Sequence, residues 1–316
     1  MASKHLYQLC DTEDESAPVI QWCTECKIYL SKDCFQYHTN HVENISVRLH
    51  DTLRESQVVK QINPTDSVKK IYWKSTKKVR SRITGIACAK ENYVLICRNK
   101  PLTVSRCLPN GNIEKSCKLD GEVFNICVID ETDEAVVTLP VVGKIQFLKY
   151  IPMEAGKTVA TFPHPWGITL CKEKLVVGTE KKMQFFTKDG SPLHIVDFPC
   201  VDTTAICYMQ PGDINQMYVS CKSFYAITDG GNILYKHSGP SYRRANGICI
   251  DRDGSVYVSS RNSVVKLSKE GTILDHNVLD DYNAYGKILA LAFNRTYTQM
   301  YAATDGGKKL TVFDIR

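Results

Sequence analysis

The sequence predicts a mainly β protein, a small zinc-binding module followed by a six-bladed β-propeller. Three observations carry this. Cysteines and histidines stand at metal-ligand spacing within residues 23–41, an apolar segment recurs about every 40 residues from residue 83 onward, and each interval holds four short alternating stretches.

Composition sets the frame. With 43% apolar and 23% charged residues over 316 positions, the chain can bury a substantial core. No apolar run approaches the roughly 18 residues of a membrane span, and the opening MASKHLYQLCDTEDES is too polar and acidic for a signal peptide. A cytoplasmic location is therefore expected, with the nucleus as the alternative. In that reducing setting the fourteen cysteines read as buried thiols or metal ligands and not as a disulfide framework. Residues 1–62 hold six Lys/Arg against nine Asp/Glu, whereas the rest holds 34 against 25, so the larger part is basic.

Cys23 and Cys26 form a Cys-x2-Cys pair, and His38 and His41 form a His-x2-His pair after eleven intervening residues. Two thiolates from a short turn and two imidazoles three apart complete a tetrahedron with no open position, which is a structural zinc site. A segment this short builds no core of its own, so the metal supplies its folding energy. Residues 5–51, with the closing SVRLHD, resemble a B-box zinc finger of tripartite-motif (TRIM) proteins. The resemblance implies a second, cross-braced ion, for which Cys10 and Cys34 correspond to ligands. Here the chain departs from the pattern: Glu13 stands where a histidine is expected and Ser31 where a cysteine is. Either Cys10, Cys34 and Glu13 (or Asp14) hold a second ion, or the two thiols pack beside the first site. One structural Zn2+ is expected, and a second is the alternative.

Residues 52–66 read as a linker, and the propeller as 67–316. Its units open with ITGIACA, VFNICVI, PWGITLC, TTAICYM, ANGICID and ILALAFN, matched at Gly85, Asn125, Gly167, Ala205, Gly247 and Ala290 in steps of 40, 42, 38, 42 and 43. Second strands such as NYVLICR and SVYVSS follow, then third strands such as KIQFLKY and VVKLSK, and turns such as PNGN, KDGS, DGGN and KEGT lead to a fourth. The fifth unit, NGICIDRDGSVYVSSRNSVVKLSKEGTIL, resembles an NHL repeat, and the resemblance implies a six-bladed NHL-like propeller. The last unit ends after three strands. The alternating stretch at 67–76 is expected to supply the fourth beside Leu310–Ile315.

Tripartite-motif ubiquitin ligases carry a RING finger before the B-box and a coiled coil after it. Neither is read in this sequence, because residues 42–66 could hold three heptads at most and Pro64 ends them. Autonomous ligase activity is not expected. No Gly-x-Ser-x-Gly, phosphate-cradling loop or His-x3-His pair is found, and His164, His194 and His237 are each flanked by turn residues. The expectation is a non-enzyme with no small-molecule substrate and no membrane contact, monomeric or weakly oligomeric.

Naming the strands of a blade a to d from the axis outward, the b–c and d–a connections share one face of the disc. The b–c connections carry nine bases (Arg98, Lys100, Lys144, Lys181, Lys182, Lys222, Arg261, Lys308, Lys309) against two acids, Glu180 and Asp305. The a–b turns opposite carry nine acids against five bases. Arg80, Arg82, Tyr242, Arg243 and Arg244 add to the basic side, with Trp166 at the start of the third unit. An acidic protein segment is the first partner such a face suggests. Single-stranded RNA is the second, through cations on phosphates and aromatic stacking, and the resemblance to RNA-binding NHL propellers implies it. The lysine excess among the b–c bases weighs against RNA. An adaptor function leads, a post-transcriptional RNA-binding regulator follows, and an accessory subunit of a ubiquitin ligase is the third reading.

Overall fold

A computed structural model of the chain describes residues 19–23, 28–31, 71–129, 131–199, 205–213, 215–238, 245–279 and 284–316, the first two segments and Ala245 by backbone only. The chain falls into two units, Met1–Ser67 and Val68–Arg316. In the first, Val19–Cys23 pairs antiparallel with Ile28–Ser31, Cys23 opposite Ile28. Cys10, Glu13, Cys26, Cys34, His38 and His41 lie outside the described residues.

The second unit is a six-bladed β-propeller, each blade a four-stranded antiparallel sheet in the order a-b-c-d. Blade 1 comprises Ile83–Cys88, Val94–Asn99, Leu102–Cys107 and Ile113–Lys118; blade 2 comprises Ile126–Ile129, Glu134–Leu139, Lys144–Lys149 and Glu154–Ala160. Blade 3 comprises Gly167–Cys171, Lys174–Gly178, Lys182–Thr187 and Pro192–Asp197; blade 4, Tyr208–Pro211, Gln216–Ser220, Phe224–Thr228 and Ile233–His237. Blade 5 comprises Ala245–Ile250, Val256–Ser260, Ser263–Leu267 and Ile273–Asp275. Blade 6 takes Leu291–Phe293, Gln299–Thr304 and Lys309–Ile315 from the end of the chain and its outer strand, Ile71–Lys78, from before blade 1. That outer strand pairs antiparallel from Lys309 opposite Lys78 to Ile315 opposite Ile71, so it runs two residues beyond the stretch expected from the sequence. The expected alternation is not mirrored in its burial: Ile71 is buried while Trp73, two residues on, is 54% exposed, because this is the rim strand of its sheet.

The spacing of the repeat has a steric cause at the axis. A Cβ on Gly247 would stand 2.5 Å from the Leu291 nitrogen and 2.6 Å from Ala290 Cα, so the first strand of blade 6 lies directly on that of blade 5. Gly85 meets the Phe124 carbonyl in the same way, at 2.8 Å, and Gly167 meets that of Ile206 at 3.0 Å. Every second unit thus carries a glycine against which the next blade closes. Farther out, Gly231 and Gly271 sit in c–d turns at φ of +85° and +91°, which a side chain rarely adopts, and pack on Val196 and Tyr235 of the preceding blade.

The axis is crossed by side chains. Tyr208 of blade 4 donates its hydroxyl to the Thr84 carbonyl of blade 1 at 2.6 Å, and Asn125 of blade 2 donates to the Cys207 carbonyl at 3.4 Å. Around them the inward-facing positions Ile83, Val94, Ile96, Tyr218, Phe224, Val258 and Leu310 are fully or almost fully buried. The nine cysteines whose side chains are described are free thiols, and burial pushes Cys88 and Cys107 up to about 12 and Cys207 up to about 11, so those three stay protonated at neutral pH.

Candidate macromolecule-binding face

The b–c hairpins are tight, which sets their charged residues at exposed apices. Lys100 occupies the blade 1 connection, Lys181 that of blade 3, Lys222 that of blade 4, Arg261 that of blade 5 and Lys308 that of blade 6, and all five are exposed. Lys181 and Arg261 adopt φ of +61° and +53°. That conformation is a property of tight turns throughout this propeller, since Glu91 and Glu173 on the opposite face share it. Lys182 and Lys309 open their c strands and are half-buried. Tyr242, Arg243 and Arg244 lie outside the described residues.

The two faces differ in how their charges are paired. Among the described residues, Lys182 pairs with Asp197 at 3.2 Å and Lys309 with Asp305 at 3.3 Å. Arg80, Arg82, Arg98, Lys100, Lys144, Lys181, Arg261 and Lys308 have no ion pair there. On the a–b side, bonds run from blade to blade: Lys188 to Glu131 at 2.7 Å, Lys172 to Asp229 at 3.1 Å, and Lys269 to Asp213 at 3.0 Å; Lys188 also pairs with Glu173 within blade 3. The Lys188 ammonium holds Glu131 below the usual carboxylate range. Asp251 is buried, accepting from the Asp253 and Ser255 amides and from the Tyr257 hydroxyl. Turn-by-turn counting missed this, because the c–d turns share the a–b face and bring Lys188 and Lys269 to its acids. The d–a connections likewise add Asp120 and Glu122 to the basic face.

Arg98 is the penultimate residue of strand b of blade 1. Its Nη2 donates to Ser116 Oγ at 3.3 Å, its Nε is buried without a partner, and burial lowers its pKa from the ordinary guanidinium value. Trp166 is half-buried, packed edge-on against Phe124 with ring centroids 4.9 Å apart, and its indole nitrogen is also buried without a partner. The large apolar side chains this face exposes are aliphatic, Val141 at 68% and Val142 at 45%; the exposed tyrosine and tryptophan of the described residues, Tyr72 and Trp73, are on the rim, and His164, an exposed ring on this face, stacks on Trp166 with centroids 6.5 Å apart. His194 and His237 are strand residues and not turn residues as expected: His194 stacks on Phe185 at 4.3 Å, and His237 Nε2 lies 2.8 Å from the Gly271 carbonyl. Among the described residues no helix is long and apolar enough to cross a membrane, and no group of three or more His, Cys, Asp or Glu is placed to hold a metal ion.

No family model matches the chain, and no curated protein matches it either. Solved structures do. A streptogramin B lyase superposes with a TM-score of 0.59 at 14% identity, covering 78% of this chain and 98% of the lyase. A catalytically inactive virginiamycin B lyase from Staphylococcus aureus, with quinupristin, gives 0.57 at 15%, covering 78% and 99%. A structural genomics protein of unknown function from Bacteroides thetaiotaomicron gives 0.60 at 12%, covering 78% and 76%. At such identity the likeness is one of fold. The class is therefore a six-bladed β-propeller, and the tripartite-motif and NHL resemblance rests on the residues quoted above.

Proposed function

We propose that this chain is a non-enzymatic adaptor whose propeller holds an acidic protein segment on the face built from the b–c and d–a connections. The observation that carries the reading is the set of eight cations without ion pairs on that face, opposite a face whose acids are bound by lysines of neighbouring blades. Unpaired charge focuses a field on an oppositely charged partner. The aliphatic character of Val141 and Val142 favours a protein over RNA, since bases need exposed aromatic planes to stack on. The non-enzymatic part is supported by His194 and His237, which lie on outer strands and are engaged in packing.

A photo-crosslinking amino acid placed at 181 or 261 of the full chain, and at 270 on the opposite face as a control, tests this in cell extract. Ribonuclease-resistant protein crosslinks are expected from positions 181 and 261 and absent from 270; those from 181 should be lost when Arg261 is changed to Glu, and those from 261 when Lys181 is. Crosslinks to RNA would make the chain an RNA-binding regulator, and crosslinks from 270 alone would move the site to the other face.

The proposal includes one structural zinc ion in a B-box-like first unit, held by Cys23, Cys26, His38 and His41. Ligand spacing supports it, as does the hairpin register, which ends strand Val19–Cys23 at one cysteine. A two-stranded hairpin is marginal without such a staple. Elemental analysis of the purified chain should give one zinc per chain and none in the Cys23→Ser/Cys26→Ser variant. Two would bring in Cys10, Glu13 and Cys34, and none would remove the metal from the reading.

A further inference from the structure

The seam between blades 6 and 1 concentrates positive charge in a way the rest of the face does not. The d–a connection 79–82 is pinned on both sides: the Val79 amide donates to the Lys308 carbonyl at 2.8 Å, and the Asn99 amide donates to the Arg82 carbonyl at 3.3 Å. Ile83 and Arg98 are register partners, and a Cβ on Gly307 would stand 2.9 Å from Arg82 Cγ. These contacts gather Arg80, Arg82, Arg98, Lys100 and Lys308 along one seam. Among the described residues none of the five has an ion pair, and the acid nearest in sequence, Asp305, is engaged by Lys309 at 3.3 Å.

Two costs meet at that seam. Five like charges repel one another. Two donors are also buried without partners: Arg98 Nε, and the hydroxyl of Ser81, a residue only 7% exposed. Orphaned buried donors are rare in folded proteins because each loses its hydration without recompense. An anion with several acceptor oxygens at the seam would relieve both.

We infer that the blade 6–blade 1 seam binds a phosphoryl dianion, carried by a phosphorylated serine or threonine of the acidic protein segment; the inference rests on the adaptor reading above. A phosphomonoester has close to two charges and three strong acceptor oxygens on one atom, which matches a focal cluster of guanidinium and hydroxyl donors. A carboxylate brings one charge and two oxygens. RNA spreads single charges along a chain and calls for a basic track with stacking planes, whereas the seam is compact and the exposed tyrosine and tryptophan of the described residues lie on the rim.

The test uses the full chain and a fluorescent degenerate nonapeptide pool with phosphoserine fixed at its centre, read by anisotropy. Pools with serine or glutamate at that position, inorganic phosphate as competitor and a twenty-nucleotide oligouridine complete the arms. The phosphoserine pool is expected to bind about tenfold tighter than either counterpart, as loss or gain of one or two charge-assisted bonds implies, and millimolar phosphate should displace it. Arg98→Gln should weaken it about 10- to 100-fold, and Lys181→Gln by less than about threefold. Because Arg98 is half-buried, the exposed pair Arg82→Gln/Lys100→Gln gives a second reading with no demand on the fold, and should lose about tenfold as well. Equal binding of the phosphoserine and serine pools, or unchanged binding in both variants, overturns the inference. Displacement of the pool by oligouridine at lower concentration than phosphate also overturns it, in favour of RNA. If the phosphate preference fails while crosslinks from 181 and 261 persist, the seam inference falls and the adaptor reading stands.

Discussion

Replacing residues 71–78 by a Gly/Ser stretch of equal length should cost the propeller its cooperative unfolding and leave it aggregated. The strand Ile71–Lys78 is the partner on the outer side of Lys309–Ile315, to which seven of its residues are matched in register. Leu310, Val312 and Phe313 on that neighbour are fully buried, and Ile71 is 2% exposed. Thr76 hydrogen-bonds Thr311 at 3.2 Å, and Thr311 in turn bonds Thr304 at 2.7 Å, so the outer strand ends a hydroxyl chain that reaches inward. Its Lys74–Asp314 pair at 3.0 Å is half-exposed and adds little. Burial of one isoleucine is worth about 1.5–3 kcal/mol and each backbone hydrogen bond about 1 kcal/mol net. Their loss together is comparable to the roughly 5–15 kcal/mol that hold a typical domain folded. The strand also joins the two ends of a closed ring, and its removal leaves an apolar edge open to pairing with other molecules. Light scattering after gel filtration, with a circular-dichroism melt, decides the matter: a monomer melting at the wild-type temperature would mean the ring closes without this strand.

Much of this architecture is written in local features. Glycines 85, 167 and 247 show in the sequence because the next blade's backbone lies where a Cβ would be, a constraint met once per pair of units. The need for an outer strand from elsewhere is visible because the sixth unit shows three strands, the third at LTVFDI, where the other units show four. What depends on neighbouring blades is not visible. Lys188 and Glu131 are 57 residues apart, and Lys269 and Asp213 are 56 apart, so turn-by-turn counting saw an acidic face where the structure has blade-to-blade ion pairs. His194 looked like a turn residue because Pro192 precedes it, yet a proline can open a rim strand whose amide faces solvent. The seam of Arg82, Arg98 and Lys308 joins three separate stretches of sequence and is apparent only once the ring is closed. The zinc ligands, apart from the backbone of Cys23, lie outside the described residues, and their reading remains that of spacing and resemblance.

Arg106 is the other residue whose importance appears only in three dimensions, and Arg106→Met is expected to destabilise the propeller by about 2–4 kcal/mol. It sits on strand c of blade 1, 8% exposed, in a register position that alternation alone would give to an apolar side chain. Its Nε donates to Glu114 Oε2 at 2.8 Å on its own blade, and its Nη1 donates to the Tyr150 carbonyl at 2.9 Å and to that of Ile151 on the c–d turn of blade 2. The guanidinium lies 4.6 Å from the centre of the Tyr93 ring. One planar fork therefore ties two blades and the a–b turn together. Methionine keeps the volume and removes every donor, leaving two turn carbonyls without their partner, whereas lysine supplies a charge without the fork and should recover only part of the loss. Glu114 has a 38% exposed side chain and can turn to water, so Glu114→Gln should change stability by less than about 1 kcal/mol. For a domain of this size the methionine variant should melt roughly 6–12 °C lower. A shift of under about 2 °C would show that the inter-blade carbonyl contacts contribute nothing measurable. A glutamine variant at 114 as damaging as the methionine at 106 would shift the weight from those contacts to the ion pair within blade 1.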